Sequence, residues 1–426
     1  MANPCAKLAV IAALRRAPEF APLVALPSLH TQAGRDFQRW LDWSGLALTF
    51  YRRLQQYNVT EQISKEWRGT LEQKLSRNAE RVHDMVAEAQ RLTTAFRSTG
   101  VTVVTLKGIT LVPDFCDDIC LRHQTDFDFL VSSRDIAAAA EALNSCGYSA
   151  PHLSESGETC FLTPSRHIPT AHDDLYSLQR HRQVDLHTSL WEPCSWLPVV
   201  TPEDCLTHAR PEFTCGTEHV ALSLEDKFLL QVLHAFRHSF RSWIRVSWLL
   251  EIGHCMTKHQ DNVALWDRLI GRAGHTLLTK RIFALVTGIV HRLFEVPIPP
   301  QLQSWISVSM TPPMRVWLDH FATEWAISDW PGSLNNLFLT TEFIADPGLR
   351  RQYWRSRFLP KRVNTSLGSI ATAGPRSLLL AQTARLSYVA KRTVAQLRDI
   401  VLLPRQQIRW KRALLSSRRI GFDSNY

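Results

Sequence analysis

The chain has 426 residues and a formal net charge of +10 at pH 7, and 45% of its residues are hydrophobic. This length and composition predict a globular protein of two or three domains with a packed core. All uninterrupted apolar stretches fall well short of the ~18 residues that a transmembrane helix needs, so the sequence excludes a protein with helical membrane spans.

Two features of the sequence bear on the compartment of the protein. The longest apolar run near the N-terminus, Leu8 to Leu14, is followed by Arg15 and Arg16 without a small-residue cleavage site, which does not fit a signal peptide. The nine cysteines are scattered and contain no Cys-x-x-Cys pair, so they indicate neither a zinc site nor a disulfide framework. We therefore expect a cytoplasmic protein.

Helical patterns occupy both ends of the chain and surround a mixed segment. Residues 1–98 form an N-terminal helical region, in which one long pattern runs from Thr60 to Ser98 and stops before Gly100. Residues 99–220 mix strands with short helices. Residues 221–350 are helical again, and residues 351–426 form a basic, partly helical C-terminal arm. The predicted fold class is α+β, with a small mixed sheet flanked by N-terminal and C-terminal helical regions.

A strand, a glycine and a short helix follow one another at the start of the mixed segment. Val101 to Leu106 is rich in β-branched residues and predicts a buried strand, which ends at Lys107 and Gly108. Ile109 to Phe115 predicts a short helix. A strand that passes through glycine into a helix N-terminus leaves backbone N–H groups free to bind phosphate, here with a lysine beside them.

Two aspartates in the next strand carry the strongest chemical signal. Asp126 and Asp128 lie two residues apart in TDFDFLV, so both side chains point to one face of a strand, with Cα atoms roughly 6.5–7 Å apart. These like charges repel each other unless a cation lies between them. A pair of Mg²⁺ ions about 3.5–4 Å apart suits this spacing and serves phosphoryl and nucleotidyl transfer in many enzymes. The alternative is a half-solvated strand whose polar face is acidic.

The stretch from about 100 to 260 resembles the uncharacterised nucleotidyltransferase family, a branch of the nucleotidyltransferase superfamily with a polymerase-beta-like fold. The matching parts are Leu106-Lys107-Gly108, Arg122, Asp126-Phe127-Asp128, Leu130-Val131, a helix from Asp135 to Leu143, Gly147-Tyr148, Arg182 to Trp191 and His234 to Cys255. Two departures bear on substrate geometry more than on metal binding. Ile109 follows Gly108 where the superfamily usually has serine or glycine, and Thr125 stands where the branch often has glycine.

The resemblance implies a role for each charged residue of the site. Asp126, Asp128 and Asp185 would hold two Mg²⁺ ions, and Asp185 would also be the general base. The alternative for Asp185 is a strand-end aspartate in a turn. The residues implied to bind the phosphates of a nucleoside triphosphate are Lys107, Gly108 and Arg122.

Three histidines each allow two interpretations. His187 shares a strand face with Asp185, so it either touches substrate or has a structural role. His234 and His238 lie four residues apart on a predicted helix, a spacing that can bind metal. Because the segment lacks the glutamate of a His-Glu-x-x-His helix, packing or substrate contact is preferred over a zinc site.

The C-terminal arm carries an excess of positive charge. Residues 351–426 contain sixteen Lys or Arg and only two Asp, which leaves the preceding body mildly acidic. Pro375 to Leu403 places apolar residues at near-helical spacing with Arg and Lys between them, as a basic amphipathic helix does. One interpretation is an electrostatic arm for an anionic partner, such as an anionic membrane surface or another polyanion. The other is a helix packed on the body with a solvated basic face.

These features together predict a metal-dependent nucleotidyltransferase. It would use an NTP such as ATP, move the NMP group to a hydroxyl-bearing acceptor and release pyrophosphate. The acceptor stays open between a sugar, a small antibiotic-like molecule, a protein side chain and an RNA end. The alternative is a catalytically inactive nucleotide-binding scaffold or regulatory protein, which Ile109 after Gly108 favours and the three aspartates oppose.

Overall fold

A computed structural model describes residues 4–149, 158–162, 175–178, 182–191, 197–241, 244–329, 335–358 and 375–423. Four helices precede the sheet, and these are α1 (Pro4–Ala13), α2 (Gln32–Trp43), α3 (Ala47–Gln56) and α4 (Lys65–Ser98). The side chain of Ser64 caps α4 by accepting a hydrogen bond from the Trp67 N–H. The helix ends before Gly100, whose φ of +73° is a left-handed conformation that glycine adopts without steric cost. The long helix predicted here is confirmed, except that a separate 3₁₀ turn, Thr60–Gln62, precedes it.

Six strands in the described part of the chain form one mixed sheet. They are β1 (Val103–Thr105), β2 (Asp126–Val131), β3 (Glu158–Leu162), β4 (Gln183–His187), β5 (Arg210–Thr214) and β6 (Thr217–Ala221), with α5 (Ile136–Ser145) and α6 (Cys205–His208) between them. Their order in the sheet is β3-β4-β2-β1-β6-β5. β2 pairs in parallel with β4 and antiparallel with β1, and β1 pairs in parallel with β6.

Helices follow the sheet to the end of the described chain. They are α7 (Leu224–Arg241), α8 (Val246–Lys258), α9 (Val263–Ala273), α10 (Leu277–Phe294), α11 (Pro300–Ser307), α12 (Pro312–His320), α13 (Ala322–Ala326), α14 (Thr340–Phe343), α15 (Pro347–Phe358) and α16 (Pro375–Asp423). With helices on both sides of the mixed sheet in the chain, the predicted α+β class is confirmed. The basic amphipathic helix predicted from Pro375 to Leu403 is present as α16 and is about twenty residues longer.

The largest apolar core joins helices from both ends of the chain. It contains Phe50 and Trp67 from the N-terminal helices together with Phe228, Trp266 and Trp317 from the helices after the sheet. The predicted N-terminal and C-terminal helical regions therefore share one core. Among the residues that the structure describes, no helix combines the length and the apolarity that crossing a membrane requires.

The side chains of β2 alternate between two layers. Phe127, Phe129 and Val131 pack against α4 and α5 in one apolar cluster. Leu130 points to the opposite face and packs with Leu230 of α7. Because Asp126 and Asp128 are even-numbered like Leu130, their carboxylates lie on this second face, which looks toward α7 and α8.

Candidate functional site

The three predicted aspartates lie on two neighbouring parallel strands. In the register of β2 and β4, Asp128 is opposite Asp185, and Asp126 is opposite Gln183. Neighbouring strands are about 4.8 Å apart, and residues in register point to the same face of a parallel sheet. The fold therefore brings the three carboxylates together on the face of the sheet that looks toward α7 and α8.

Asp128 is the buried centre of this cluster. Its Oδ1 accepts hydrogen bonds from Lys107 Nζ at 2.8 Å and from His187 Nε2 at 3.0 Å. Burial by itself would raise the pKa of Asp128, but the positive charge of Lys107 and the hydrogen bond from His187 hold that pKa well below its usual range. The carboxylate is therefore ionised at physiological pH. Its Oδ2 accepts no hydrogen bond from any residue that the structure describes.

The pKa of Asp185 is shifted in the opposite direction from that of Asp128. Both of its oxygens accept from the Gln183 side-chain amide, at 2.7 and 2.8 Å. Burial, followed by the negative charges of Asp128 and Asp126, raises the pKa of Asp185 to about 6. A carboxyl with this pKa can exchange a proton near neutral pH, as a general base must.

Asp126 is the least buried of the three and has the fewest partners. Its side chain is half-buried, and within the described chain its carboxylate accepts no hydrogen bond. Burial and the negative charge of Asp128 raise the pKa of Asp126, although the positive charges of Lys107 and Arg122 oppose the rise. Because both Asp126 and Asp185 keep raised pKa values, Lys107 alone does not neutralise the carboxylate cluster.

Lys107 and Gly108 lie where β1 ends beside the start of β2. The Leu106 N–H donates to the Asp128 carbonyl oxygen at 3.0 Å, which fixes Lys107 next to the carboxylates. Gly108 has a φ of +68°, and a Cβ there would lie 2.4 Å from the side-chain nitrogen of Gln124. This position therefore requires glycine for its backbone conformation and because the Gln124 amide fills the space beside it.

The helix predicted from Ile109 to Phe115 is instead a single 3₁₀ turn, Gly108–Leu111. A turn this short provides a smaller dipole and fewer free N–H groups than an α-helix, so less phosphate binding comes from the backbone. Thr110 lies in this turn and is fully buried. Its hydroxyl donates to backbone carbonyls at 3.3 and 3.4 Å, so it does not replace the hydroxyl that the superfamily usually has after the glycine.

Arg122 is held by an acidic residue that the sequence analysis did not identify. Its Nε donates to Glu251 of α8 at 3.0 Å, and Glu251 also accepts from the Gln231 amide at 3.1 Å. Burial would lower the pKa of Arg122, but the charge of Glu251 raises it, with a further contribution from Asp126. The two terminal nitrogens of Arg122 make no hydrogen bond within the described chain. They are therefore available to a ligand beside Asp126.

A second arginine and a group of aromatic rings lie near Arg122 and Lys107. Arg245 donates to the His123 carbonyl oxygen at 3.1 Å, and its guanidinium carbon lies 5.9 Å from the centre of the Trp248 ring. Burial and the charge of Arg122 lower the pKa of Arg245, while Asp126 opposes that change. Arg122, from the segment before β2, and Arg245, from the residue before α8, are thus both close enough to Asp126 to interact with its charge.

Both histidines of the predicted pair, His234 and His238, contact the ring of Trp248. The ring of His234 lies 4.7 Å from the ring of His238 and 4.4 Å from that of Trp248. Burial and the nearby charge of Lys107 hold the pKa of His234 well below its usual value, so this imidazole is neutral. Contact with an aromatic ring agrees with the packing interpretation of the pair.

Sequence reasoning missed Gln183, Arg245 and Glu251 as site residues. Glu251 could have been identified from the sequence, because an acidic residue inside the apolar stretch WLLEIG requires a buried partner. Gln183 and Arg245 could not have been, since an amide at a strand end and an arginine before a helix are common on protein surfaces.

The donor chemistry of the cluster fits Mg²⁺. Within the described residues, no three His, Cys, Asp or Glu side chains are already arranged around one metal position. However, the carboxylate of Asp126 and Oδ2 of Asp128 accept no hydrogen bond from the described residues, and carboxylate oxygen is the ligand that Mg²⁺ prefers. Burial raises the pKa values of Asp126 and Asp185, the neighbouring carboxylates raise them further, and a divalent cation would oppose both effects.

Comparison with known proteins agrees with this geometry. The model of the uncharacterised nucleotidyltransferase family matches residues 32–295, a range that contains every residue of the site. No curated protein matches the chain, and no solved structure does. Since the family model covers more than half of the sequence, the chain belongs to the uncharacterised nucleotidyltransferase family.

Proposed function

We propose that the protein transfers a nucleoside monophosphate from an NTP to a hydroxyl group and releases pyrophosphate, with Mg²⁺ as its cofactor. One observation carries the proposal. Asp128 and Asp185 are opposite each other on neighbouring parallel strands, with Asp126 beside them, in a chain that belongs to a nucleotidyltransferase family. Arg122 and Arg245, both near Asp126, supply the positive charge that a triphosphate needs.

Asp185 is the proposed general base. With a pKa raised to about 6 it is mostly ionised at pH 7.5, yet basic enough to take a proton from an acceptor hydroxyl. The hydroxyl oxygen then forms a bond with the α-phosphorus, and the bond from that phosphorus to the bridging oxygen of pyrophosphate breaks. The proton goes to Asp185 and pyrophosphate leaves with the bond electrons.

Asp126, Asp128 and Asp185 are the residues that would hold two Mg²⁺ ions. These ions would supply neutralisation of the triphosphate and a lower pKa for the attacking hydroxyl. Asp128 offers its Oδ2, because Oδ1 already accepts from Lys107 and His187. Asp126 offers both oxygens.

Lys107 and Arg122 are the proposed phosphate ligands. Lys107 Nζ lies within the carboxylate cluster, from which its flexible side chain can turn toward a phosphate oxygen. Glu251 orients Arg122 through Nε and leaves the two terminal nitrogens to bind a phosphate bidentately. The backbone at Gly108 adds N–H groups from one 3₁₀ turn.

The test is a screen of the four NTPs with Mg²⁺ for pyrophosphate release, with pools of sugars, small aminoglycoside-like molecules, RNA and protein acceptors. We expect release with at least one combination, and a loss of at least 100-fold in Asp128→Asn and in Asp185→Asn. Asp261→Asn, at an exposed aspartate outside the site, is the matched control and should keep full activity. Equal activity in all four proteins would show that Asp128 and Asp185 do not perform the reaction.

A specific observation favours the second candidate, an inactive nucleotide-binding scaffold or regulator. Lys107 occupies Asp128 Oδ1, and the Gln124 side chain covers Gly108. The two candidates differ in one measurement. A scaffold binds NTP in isothermal titration calorimetry but leaves the triphosphate intact after prolonged incubation with every acceptor pool, whereas the enzyme converts it.

A further inference from the structure

The final helix, α16, is anchored to the body by one of its faces. The ring of Trp410 stacks on that of Phe338 with centres 5.4 Å apart, and it also contacts Phe321 at 5.7 Å. Arg409 forms an ion pair with Glu324 at 2.6 Å. These contacts fix the C-terminal half of α16 against α12 and α13, so its opposite face is turned outward.

The outward face of α16 is apolar. Six exposed apolar side chains on this face keep between 52% and 74% of their surface accessible, and they are Leu386, Val394, Leu397, Val401, Ile408 and Leu415. A seventh, Ile400, is 43% accessible and lies beside the face. At 100° per residue all six lie within an arc of about 80° around the helix axis. Six such residues in line form a continuous stripe and not the scattered single hydrophobics that are normal on protein surfaces.

A row of cations borders this stripe. Four exposed basic residues recur every seven positions, and each precedes an apolar residue of the stripe by three positions, in the pairs Lys391 with Val394, Arg398 with Val401, Arg405 with Ile408 and Arg412 with Leu415. Arg398 forms an ion pair with Asp399 at 2.8 Å, so the charge at this edge comes mainly from Lys391, Arg405 and Arg412. Residues three apart are neighbours on a helix surface. The outward face therefore has an apolar strip with a positively charged edge along about 36 Å of helix.

Pairing with a second copy of the helix is disfavoured by the same register. A coiled coil that used Val394, Val401, Ile408 and Leu415 as one core position would need apolar residues three places later. Three places after Val394, Val401 and Ile408 the chain has Leu397, Pro404 and Lys411, so only the first of these positions is suited to a coiled-coil core. The cations would also line the flank of the seam, and the opposite flank, residues 400, 407 and 414, has no acidic residue to pair with them. Nucleic acid would use the cations but would leave the apolar strip in water.

We propose that the outward face of α16 is a peripheral attachment site for an anionic phospholipid surface. A helix that lies in the interfacial plane buries an apolar face at the acyl boundary and places Lys and Arg at the headgroups. Each cation near an anionic bilayer contributes about 1 kcal/mol. This inference goes beyond the proposed transferase activity and does not depend on it.

The test is flotation of the full chain with vesicles of phosphatidylcholine alone or with 30% phosphatidylglycerol. We expect binding to the anionic vesicles, weak binding to the neutral ones, and a steep fall between about 50 and 200 mM salt. The stripe variant Leu397→Gln, Val401→Gln, Ile408→Gln and the charge variant Lys391→Gln, Arg405→Gln, Arg412→Gln should each lose at least tenfold in binding. Since the changed side chains are exposed, both should keep the thermal transition of the parent.

Two control variants remove the same number of exposed apolar or basic side chains from parts of the protein outside α16. Val200→Gln, Val263→Gln, Val308→Gln takes away equally exposed apolar residues, and Lys65→Gln, Arg91→Gln, Arg134→Gln takes away three exposed cations. Both controls should bind as the parent does. If the triple stripe variant unfolds, the single changes Val401→Gln and Ile408→Gln give the answer, with a partial loss expected from each.

Four outcomes would overturn the inference. The first is that the protein does not bind anionic vesicles, and the second is that the stripe variant binds them as well as the parent does. The third is that the parent sediments as a dimer and the stripe variant does not. The fourth is that the protein binds heparin or RNA through the cations and without the stripe, but does not bind vesicles. The third outcome would make the stripe a self-association face. The fourth would make α16 a polyanion site.

Discussion

Lys107 Nζ lies 2.8 Å from Asp128 Oδ1, within a cluster in which Asp128 alone of the three aspartates has a lowered pKa. Lys107 thus stabilises the ionised form of Asp128, whereas burial and the neighbouring carboxylates keep the pKa values of Asp126 and Asp185 raised. The three aspartates, although close together, should respond differently to substitution, to pH and to Mg²⁺.

Asp185→Asn should stabilise the metal-free protein, and the gain should depend on pH. Since the folded-state pKa of Asp185 is about 6 against 3.8 for an unperturbed Asp, its ionisation disfavours the fold. Below about pH 4 the carboxyl is protonated in both states, and its contribution to stability is then fully present. That contribution is lost as the pH rises through 6, and the difference of about two pKa units corresponds to about 3 kcal/mol at pH 7.

The measurement for Asp185→Asn is chemical denaturation of both proteins in EDTA from pH 4 to 8. The free energies of unfolding should coincide near pH 4 and diverge by pH 7. Parallel curves across this range would show that Asp185 does not titrate in the folded protein.

Asp128→Asn should destabilise the metal-free protein. Repulsion among the carboxylates alone would predict the reverse, but the lowered pKa shows that Lys107 and His187 outweigh it. Breaking a buried ion pair by removing one partner costs about 3–5 kcal/mol, here reduced because Asp126 and Asp185 remain near Lys107. Asp126→Asn should instead be neutral or stabilising, because its ionised form has no hydrogen-bond partner in the described chain. In EDTA, Asp128→Asn should therefore lower the melting temperature, whereas Asp126→Asn should leave it unchanged or raise it.

Mg²⁺ should raise the melting temperature of the unaltered protein at pH 7.5, because it neutralises the carboxylates that repel each other. A metal that binds only the folded state at 100 times its Kd stabilises by about 2.7 kcal/mol. The shift should shrink in Asp126→Asn and be absent when Asp126 and Asp128 are both changed to Asn. A shift of equal size in this double variant would place the metal elsewhere.

Glu251→Gln should weaken NTP binding without a change at the carboxylates. The substitution keeps the shape of the side chain but removes the charge that holds Arg122 Nε, so the guanidinium is less well oriented toward phosphate. We expect a KM for NTP at least fivefold higher, with a smaller change in kcat. Gln231→Glu, which alters the other partner of Glu251, should lower the stability instead by placing two carboxylates together.

Gly108→Ala should lower stability by more than about 1 kcal/mol, because φ is positive there and the new Cβ meets the Gln124 amide. Gly108→Ala combined with Gln124→Ala should recover only the part of the loss that comes from the steric clash. The control is Gly69→Ala in the second turn of α4, where no atom lies within 4 Å of the new Cβ, and it should gain up to about 1 kcal/mol. A fully recovered double variant would mean that the backbone conformation is not strained.

The sequence by itself determined two of the helices and the pair of aspartates on β2. Periodicity specified α4 and the amphipathic α16, and alternation along TDFDFLV put Asp126 and Asp128 on one face, because these patterns depend only on residues close together in the chain. The resemblance to the family added Asp185, which lies 57 positions after Asp128. The match to the family model supports the resemblance itself.

Only the tertiary structure decided the protonation behaviour of the site residues and which face of α16 is exposed. The pKa of Asp185 and the orientation of Arg122 depend on Asp128 and Glu251, which come close only when β2 pairs with β4 and α8 packs over them. Trp410 likewise selects which face of α16 meets the body, so the sequence could show an amphipathic helix but not its outward face. Desolvation and Coulomb interactions act through space, and the pattern along the chain contains neither distance nor burial.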